Sequence, residues 1–158
     1  MHVIGAKAVA FGEALQPSFR SYAARVVENA QALAETLAAD GLPIVTGGTD
    51  THLLVADLRP FKLTGNVAEK ALERVGITLN KNAIPNDPEK PMVTSGIRVG
   101  SPSGTSRGFS TAEFRAIGSM IMCMLQAVSE NPAHPNELVV QAVTDQVGGL
   151  CQRFPLPY

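Results

Sequence analysis

Arginine, lysine and asparagine side chains gather in two stretches of this chain, and their common chemistry is the recognition of anions and amides. Asn80-Lys81-Asn82 opens a segment that closes on Thr94-Ser95-Gly96-Ile97-Arg98, and Arg107 follows within Ser101–Gly108. A guanidinium is a planar, permanently charged fork of donors that meets a carboxylate through two parallel hydrogen bonds. Arg98 falls near the end of an apolar strand pattern. There its fork either pairs with a structural carboxylate or takes the carboxylate of a ligand. Between the two polar stretches stand Pro85, Pro88 and Pro91, which exclude regular structure and stiffen an extended loop. Ordered loops set on a sheet are where ligand-contacting groups concentrate.

Other chemistries find less support. His2, His52 and His134 lie far apart without metal-ligand spacing, so they read as structural or surface residues and no metal site is expected. Gly47-Gly48-Thr49-Asp50 lacks the Lys-Ser/Thr of a phosphate loop and sits between two strand patterns, which makes it a hairpin turn. Cys123 and Cys151 form no CxxC pair and have no neighbouring histidine. Both fall on helical faces and are expected to be buried, inert thiols in a reducing compartment. Met120, Met122 and Met124 read as core filler.

The elements that position these residues follow from periodicity. His2 to Leu15 is alanine-rich and helical, and Pro17 starts a second helix. There Phe19, Tyr22, Val26, Ala30, Leu33 and Leu37 recur at three and four until Asp40-Gly41. Pro43–Thr46 and His52–Leu58 read as strands on either side of the glycine turn, the second apolar enough to be central and covered on both faces. Thr64 caps a helix that runs to Val75 and stops at Gly76. Ile77–Asn80 and Thr94–Gly100 read as further strands, and Ser101–Gly108 as a loop. Ser110-Thr111-Ala112-Glu113 is a capping box, opening a helix with Phe114, Ile117, Ile121, Met124 or Leu125, and Val128 inside. Asn131-Pro132 ends it. A last helix from about Pro135 places Val139, Val143, Val147, Leu150 and Phe154 on one side.

Composition bounds the class. The chain has 158 residues, 45% of them hydrophobic, enough for one domain with a real core. The net charge is −1, from 13 basic and 14 acidic side chains without long runs of one sign. That disfavours binding to nucleic acid or to a membrane surface through bulk charge. The most apolar stretch, the 13 residues Ala116 to Val128, is too short to span a bilayer. No basic region followed by an apolar one opens the chain. The expectation is a cytoplasmic α/β or α+β domain, helices packed on a small mixed or antiparallel sheet.

Four longer motifs are familiar in combination. They are Met1-His-Val-Ile-Gly-Ala-Lys-Ala-Val-Ala-Phe-Gly-Glu-Ala, Gly47-Gly-Thr-Asp-Thr-His-Leu, Asn80-Lys-Asn-Ala-Ile-Pro-Asn-Asp-Pro-Glu-Lys-Pro and Thr94-Ser-Gly-Ile-Arg-Val-Gly-Ser-Pro. In this order, and on to the Arg153-Phe-Pro-Leu-Pro-Tyr end, they closely resemble the C-terminal part of serine hydroxymethyltransferase. The resemblance implies the small domain of a fold-type I enzyme dependent on pyridoxal 5′-phosphate, which moves a one-carbon unit between serine and tetrahydrofolate and leaves glycine. It assigns Arg98 to the substrate α-carboxylate. It places Asn82 and Lys90-Pro91-Met92 at the folate site and Arg107 close to the active site, as support.

The departures from the family pattern carry their own expectations. Lys7, Lys62, Lys70, Lys81 and Lys90 all lack the Thr-Thr-His-Lys context of the family's Schiff-base lysine. The Gly-Gly-Pro-Leu turn that helps to hold the coenzyme phosphate is also missing. Ser101-Pro-Ser-Gly-Thr-Ser-Arg107 departs slightly from the family's Thr-Pro-Ala-Ile-Thr run. The resemblance therefore implies residues 1–40 as a helical segment leading from an absent large coenzyme domain, and 41–158 as the C-terminal small domain. Such a piece is expected to be inactive alone and not to hold the coenzyme stably. Its partners would be serine or glycine, tetrahydrofolate and the large domain of the same enzyme, in a homodimer or tetramer. The alternative is a free-standing, non-catalytic small domain that serves as a binding or interaction module.

Overall fold

The computed structural model describes residues 1–156, so the last two residues of the C-terminal motif, Pro157 and Tyr158, lie outside the described residues. Helix α1 runs His2–Ala14 and α2 Pro17–Ala39. Pro17 stands in the first turn of α2, where its missing N–H leaves no bond unmade. The expected stripe is realised along most of α2. Val26, Ala30, Leu33 and Leu37 are buried, Tyr22 is half-buried, and Phe19 at the leading end is 43% exposed. Helix α1 buries no residue.

The core forms where α2 lies against a long helix from Thr111 to Glu130. The capping box that starts this helix is present: Ala112 N–H donates to Ser110 Oγ at 3.3 Å, and Ser110 N–H donates to the Glu113 carboxylate at 3.0 Å. Phe114, Ile121, Met124, Leu125 and Val128 are buried, as are Met120 and Met122, so the methionines fill the core. Gly118 allows the two helices to approach, since a Cβ there would stand 2.9 Å from Thr36 Cγ2. A helix from Glu137 to Arg153 closes the far side, with Val140 and Val143 buried.

Three antiparallel strands cover the core: β1 (Leu53–Asp57), β2 (Asn80–Asn82) and β3 (Gly96–Gly100), in the order β1-β3-β2. Leu54, Ala56, Ile97 and Val99 are buried. On the opposite face the register aligns Val55, Arg98 and Asn80 in one row. Helix α3 (Gly65–Arg74) packs against β2 and β3, and α4 (Pro102–Ser106) leads from β3 into the long helix, α5, which the last helix, α6, follows.

Several expectations are corrected. Pro43–Thr46 forms no strand beyond one bridge, Ile44 to Ala56; Pro43 has no N–H to give, and Gly47 with φ +74 turns the chain away. β1 is not central, and its alternate residues are only half-buried because no helix covers the outer face. The short strand comes after Ile77–Leu79, at Asn80–Asn82. Ile77 follows a left-handed Gly76 with φ +82, and Leu79 is buried. The last strand starts at Gly96 rather than Thr94, whose φ is +60. Ser101–Gly108 is not all loop but holds α4, with Pro102 in its first turn. Thr64 stands at the cap of α3 without capping it through its side chain, because its hydroxyl donates to Asn66 Oδ1 at 2.6 Å. Both cysteines are exposed rather than buried.

Candidate substrate-binding face

Arg98 stands in the middle of the central strand, and strand alternation turns it away from the helices. Its same-face neighbours along β3 are Gly96 and Gly100, so no side chain of its own strand crowds the guanidinium. One Nη2 donates to Asn80 Oδ1 at 3.1 Å. Among the described residues no carboxylate pairs with it, whereas Arg59, Arg74, Arg115 and Arg153 each have one. Of the two readings open to Arg98, the structural carboxylate is thereby absent from the described residues. The fork stays exposed, positioned by an amide oxygen that leaves its other donors free.

A cleft of about 560 Å³ opens along β1, and Arg98, Asn80 and Asn82 are not among its lining residues. Val55, the register partner of Arg98, lines it together with Thr49, Asp50, Ala83 and Pro85. Asn82 is half-buried at the end of β2, its Nδ2 donating to Ala83 O at 2.7 Å. Across from it, Gly96 leaves room for the proline loop to settle on the sheet. A Cβ at Gly96 would meet Ile84 Cγ2 at 2.6 Å and Asn82 O at 2.9 Å. Lys90, Pro91 and Met92 form the outer turn of that loop, all exposed, Met92 at 78%. The Lys90 carbonyl accepts from Val93 N–H at 2.8 Å and Thr94 N–H at 3.0 Å.

One group that periodicity and motif reading did not single out organises this loop. Asp87 accepts from Ser95 Oγ at 2.6 Å, from Ser95 N–H and Glu89 N–H at 2.9 Å each, and from Ile84 N–H at 3.1 Å. The Ser95 hydroxyl first, with the backbone donors, holds its carboxyl well below the usual carboxylate range. The signal in the sequence is Asn86-Asp87-Pro88, an Asx-type turn dipeptide before proline.

Arg107 is placed differently. Its Nε donates to Phe154 O at 2.8 Å and its Nη2 to Cys151 O at 3.3 Å, with the guanidinium stacked 5.6 Å from the Phe109 ring. These are carbonyls at the C-terminal end of α6, which lack partners within the helix. A cavity of about 390 Å³ adjoins them, with Phe109, Phe114, Val147 and Cys151 among its lining. The structure thus gathers Arg98, Asn80 and Asn82 on the sheet and its proline loop, and commits Arg107 to a helix end.

Fold and face together define an α/β domain that carries, on an open sheet face, an arginine with no carboxylate partner among the described residues. The family model for serine hydroxymethyltransferase matches residues 1–121. "Serine hydroxymethyltransferase 2" of Rhodospirillum rubrum is 59% identical over 99% of the chain, and the protein of the same name from Rhodopseudomonas palustris is 61% identical over all of it. "Serine hydroxymethyltransferase 1" of Rhodospirillum rubrum is 60% identical, again over all of it. The chain belongs to the serine hydroxymethyltransferase family. It spans 36% of the length of each of these relatives.

The described residues do not fit an anchor for an aldehyde coenzyme, which needs a lysine amine inside a site. Lys7, Lys62, Lys70 and Lys90 are exposed, and Lys81 is paired with Glu69 at 3.0 Å. None of the five lines the cleft along β1.

Proposed function

We propose that this chain is the C-terminal portion of a pyridoxal-phosphate-dependent serine hydroxymethyltransferase, and that it supplies the clamp for the amino-acid carboxylate and part of the folate pocket. The observation that carries this reading is Arg98, exposed on the central strand with no carboxylate partner and steadied by Asn80. In the complete enzyme the reaction exchanges serine and tetrahydrofolate for glycine and 5,10-methylenetetrahydrofolate. Arg98 binds the α-carboxylate of serine or glycine through its two-pronged fork. Asn82 and Lys90-Pro91-Met92 contact the folate, the amide by hydrogen bonding and the loop turn by charge and apolar contact. Arg107 supports the site at a distance, by fixing the end of α6 against α4. Residues 1–40 lead from the large coenzyme domain and 41–158 form the small domain. The lysine that bonds the coenzyme lies in the large domain, so this chain alone is inactive. Full-length molecules are cytoplasmic homodimers or tetramers. The exposed Val3, Ile4, Val9 and Phe11 support a larger assembly, since α1 buries no residue within this chain.

The test is Arg98→Ala in the complete enzyme. Loss of a charged hydrogen-bonding pair weakens binding of serine and glycine by about 1.5–3 kcal/mol, with coenzyme binding unchanged. Arg98→Lys also binds poorly, because an ammonium does not reproduce the planar fork. Equal losses of amino acid and coenzyme would make Arg98 a structural residue. A lysine adduct trapped by borohydride from this chain with pyridoxal phosphate, together with serine cleavage, would overturn the assignment of the coenzyme lysine to the large domain.

A further inference from the structure

A loop with three prolines holds a single shape only where its remaining backbone groups are satisfied and its ends are tied. In residues 83–95 both conditions meet at one carboxylate. Asp87 Oδ2 takes the N–H of Ile84 at the loop's start and of Ser95 at its end, and Oδ1 takes Ser95 Oγ and Glu89 N–H. The charged groups near it, Asp57 and Arg59, are engaged with each other at 2.7 Å, which leaves its oxygens to the loop. The backbone is left-handed on both sides of the Lys90-Pro91-Met92 turn. Asn86 has φ +55, and Thr94 has φ +60, which a β-branched residue rarely adopts. Such conformations persist only where the surroundings over-determine them. For Thr94 the surroundings are the first turn of α3: Gly65 N–H donates to Thr94 O at 2.9 Å and Asn66 N–H to Val93 O at 3.0 Å. Gly65 has to be glycine, since a Cβ there would stand 2.1 Å from Thr94 Oγ1 and 2.5 Å from Gly96 O.

We propose that Asp87 is a positioning residue for the folate: its carboxylate locks the 83–95 loop, so that Asn82 and the Lys90-Pro91-Met92 turn are preformed beside Arg98. The proposal rests on the reading of these residues as the folate contact. A loop already in its bound shape spares the ligand the ordering of a flexible segment. Asp87→Asn replaces one acceptor with an NH2 group that faces N–H donors, and Ser95→Ala removes only the shortest of the four bonds.

The experiment measures tetrahydrofolate and serine affinities of the complete enzyme carrying Asp87→Asn, Ser95→Ala or Asn82→Ala, with amide hydrogen exchange of the loop. If Asp87→Asn leaves the competent loop populated about one time in ten, the apparent dissociation constant for tetrahydrofolate rises about tenfold while that for serine holds. The Glu89 and Ser95 amides exchange faster in step. Ser95→Ala shows the same split at about threefold, and it decides the matter if Asp87→Asn does not fold. Weaker tetrahydrofolate binding in Asn82→Ala but not in the Asp87 or Ser95 variants overturns the positioning role and leaves the folate reading intact. Unchanged binding in all three variants overturns both.

Discussion

The outer face of the sheet and the corner where α4, α5 and α6 meet each hold an arginine, and the two are used in opposite ways. On the sheet, Arg98 has glycines on either side along its strand and an amide oxygen as its protein partner. At the corner, Arg107 is turned inward to the carbonyls of Cys151 and Phe154 and stacked on Phe109. Residue type and spacing mark both as site candidates. What separates them is the neighbouring backbone: a strand face without a covering helix leaves a guanidinium free, and the end of a helix offers unpaired carbonyls that take one up. The corner still serves the face. Ser101 Oγ donates to Val26 O at 2.6 Å and Asn29 Nδ2 to Thr105 Oγ1 at 2.8 Å, which ties α4, and with it the end of β3, to α2. One region is packed so that the other can stay open.

If that contrast holds, the largest effect on stability comes from the corner. Phe114 is buried and meets Phe109 edge-on with ring centroids 6.0 Å apart. Phe114→Ala should cost about 3–5 kcal/mol in chemical denaturation of this chain. A loss below about 1 kcal/mol would show a corner too loose to anchor β3. Arg107→Ala comes next. It strips two carbonyls of their donors, at about 1–3 kcal/mol of stability. In the complete enzyme it should change amino-acid affinity less than Arg98→Ala does. The reverse ranking would place Arg107 in the site and break the contrast.

How far the sequence discloses this arrangement depends on the signal each element carries. Helices α2, α5 and α6 are legible because their apolar residues repeat over many turns, and α1 because His2–Leu15 is alanine-rich, while Pro17, Ser110-Glu113 and Asn131-Pro132 mark the ends. Strand β2 is not, because Asn80-Lys81-Asn82 has no strand propensity and pairs only because β3 lies beside it. The apolar, partly β-branched Ile77-Thr78-Leu79 draws the assignment to itself, yet those residues run on from α3 outside any ladder. Helix α4 is equally silent, a single turn of Pro-Ser-Gly-Thr-Ser with no periodicity to read. Arg98 and the loop are visible as types and spacing. That Arg107 is consumed by α6 depends on partners 44 and 47 residues away, which no local pattern encodes, and that Asp87 binds Ser95 depends on the path of an irregular loop, of which Asn86-Asp87-Pro88 marks only the turn.

Acid provides a gentler comparison of the two regions. Each has a carboxyl held below its ordinary value, Glu113 chiefly by the Ser110 hydroxyl and Asp87 chiefly by the Ser95 hydroxyl. A group whose folded value is depressed contributes stability above its unfolded value and loses it as pH falls through the folded one. For Glu113 the loss starts as pH drops below its ordinary 4.5, and for Asp87 below 3.8, continuing further down because its shift is the larger. The Ser110 amide should therefore lose protection before the Ser95 amide in a pH series followed by NMR. The opposite order would mean that the loop clamp is weaker than the helix cap.

The smallest expected effect is the most discriminating. Arg98→Ala in this chain should leave unfolding free energy within about 0.5 kcal/mol of the parent, the usual range for a surface side chain without a structural partner. The side chain gives up one hydrogen bond, to Asn80, whose amide is exposed and can turn to water. It leaves no buried acceptor unpaired, and Ile97 and Val99 on the opposite face keep their packing. A guanidinium that adds nothing to the fold is left with donors free for a ligand. If Arg98→Ala instead cost more than about 1 kcal/mol, the guanidinium would be holding β3 to β2. The sheet face and the corner would then use their arginines alike.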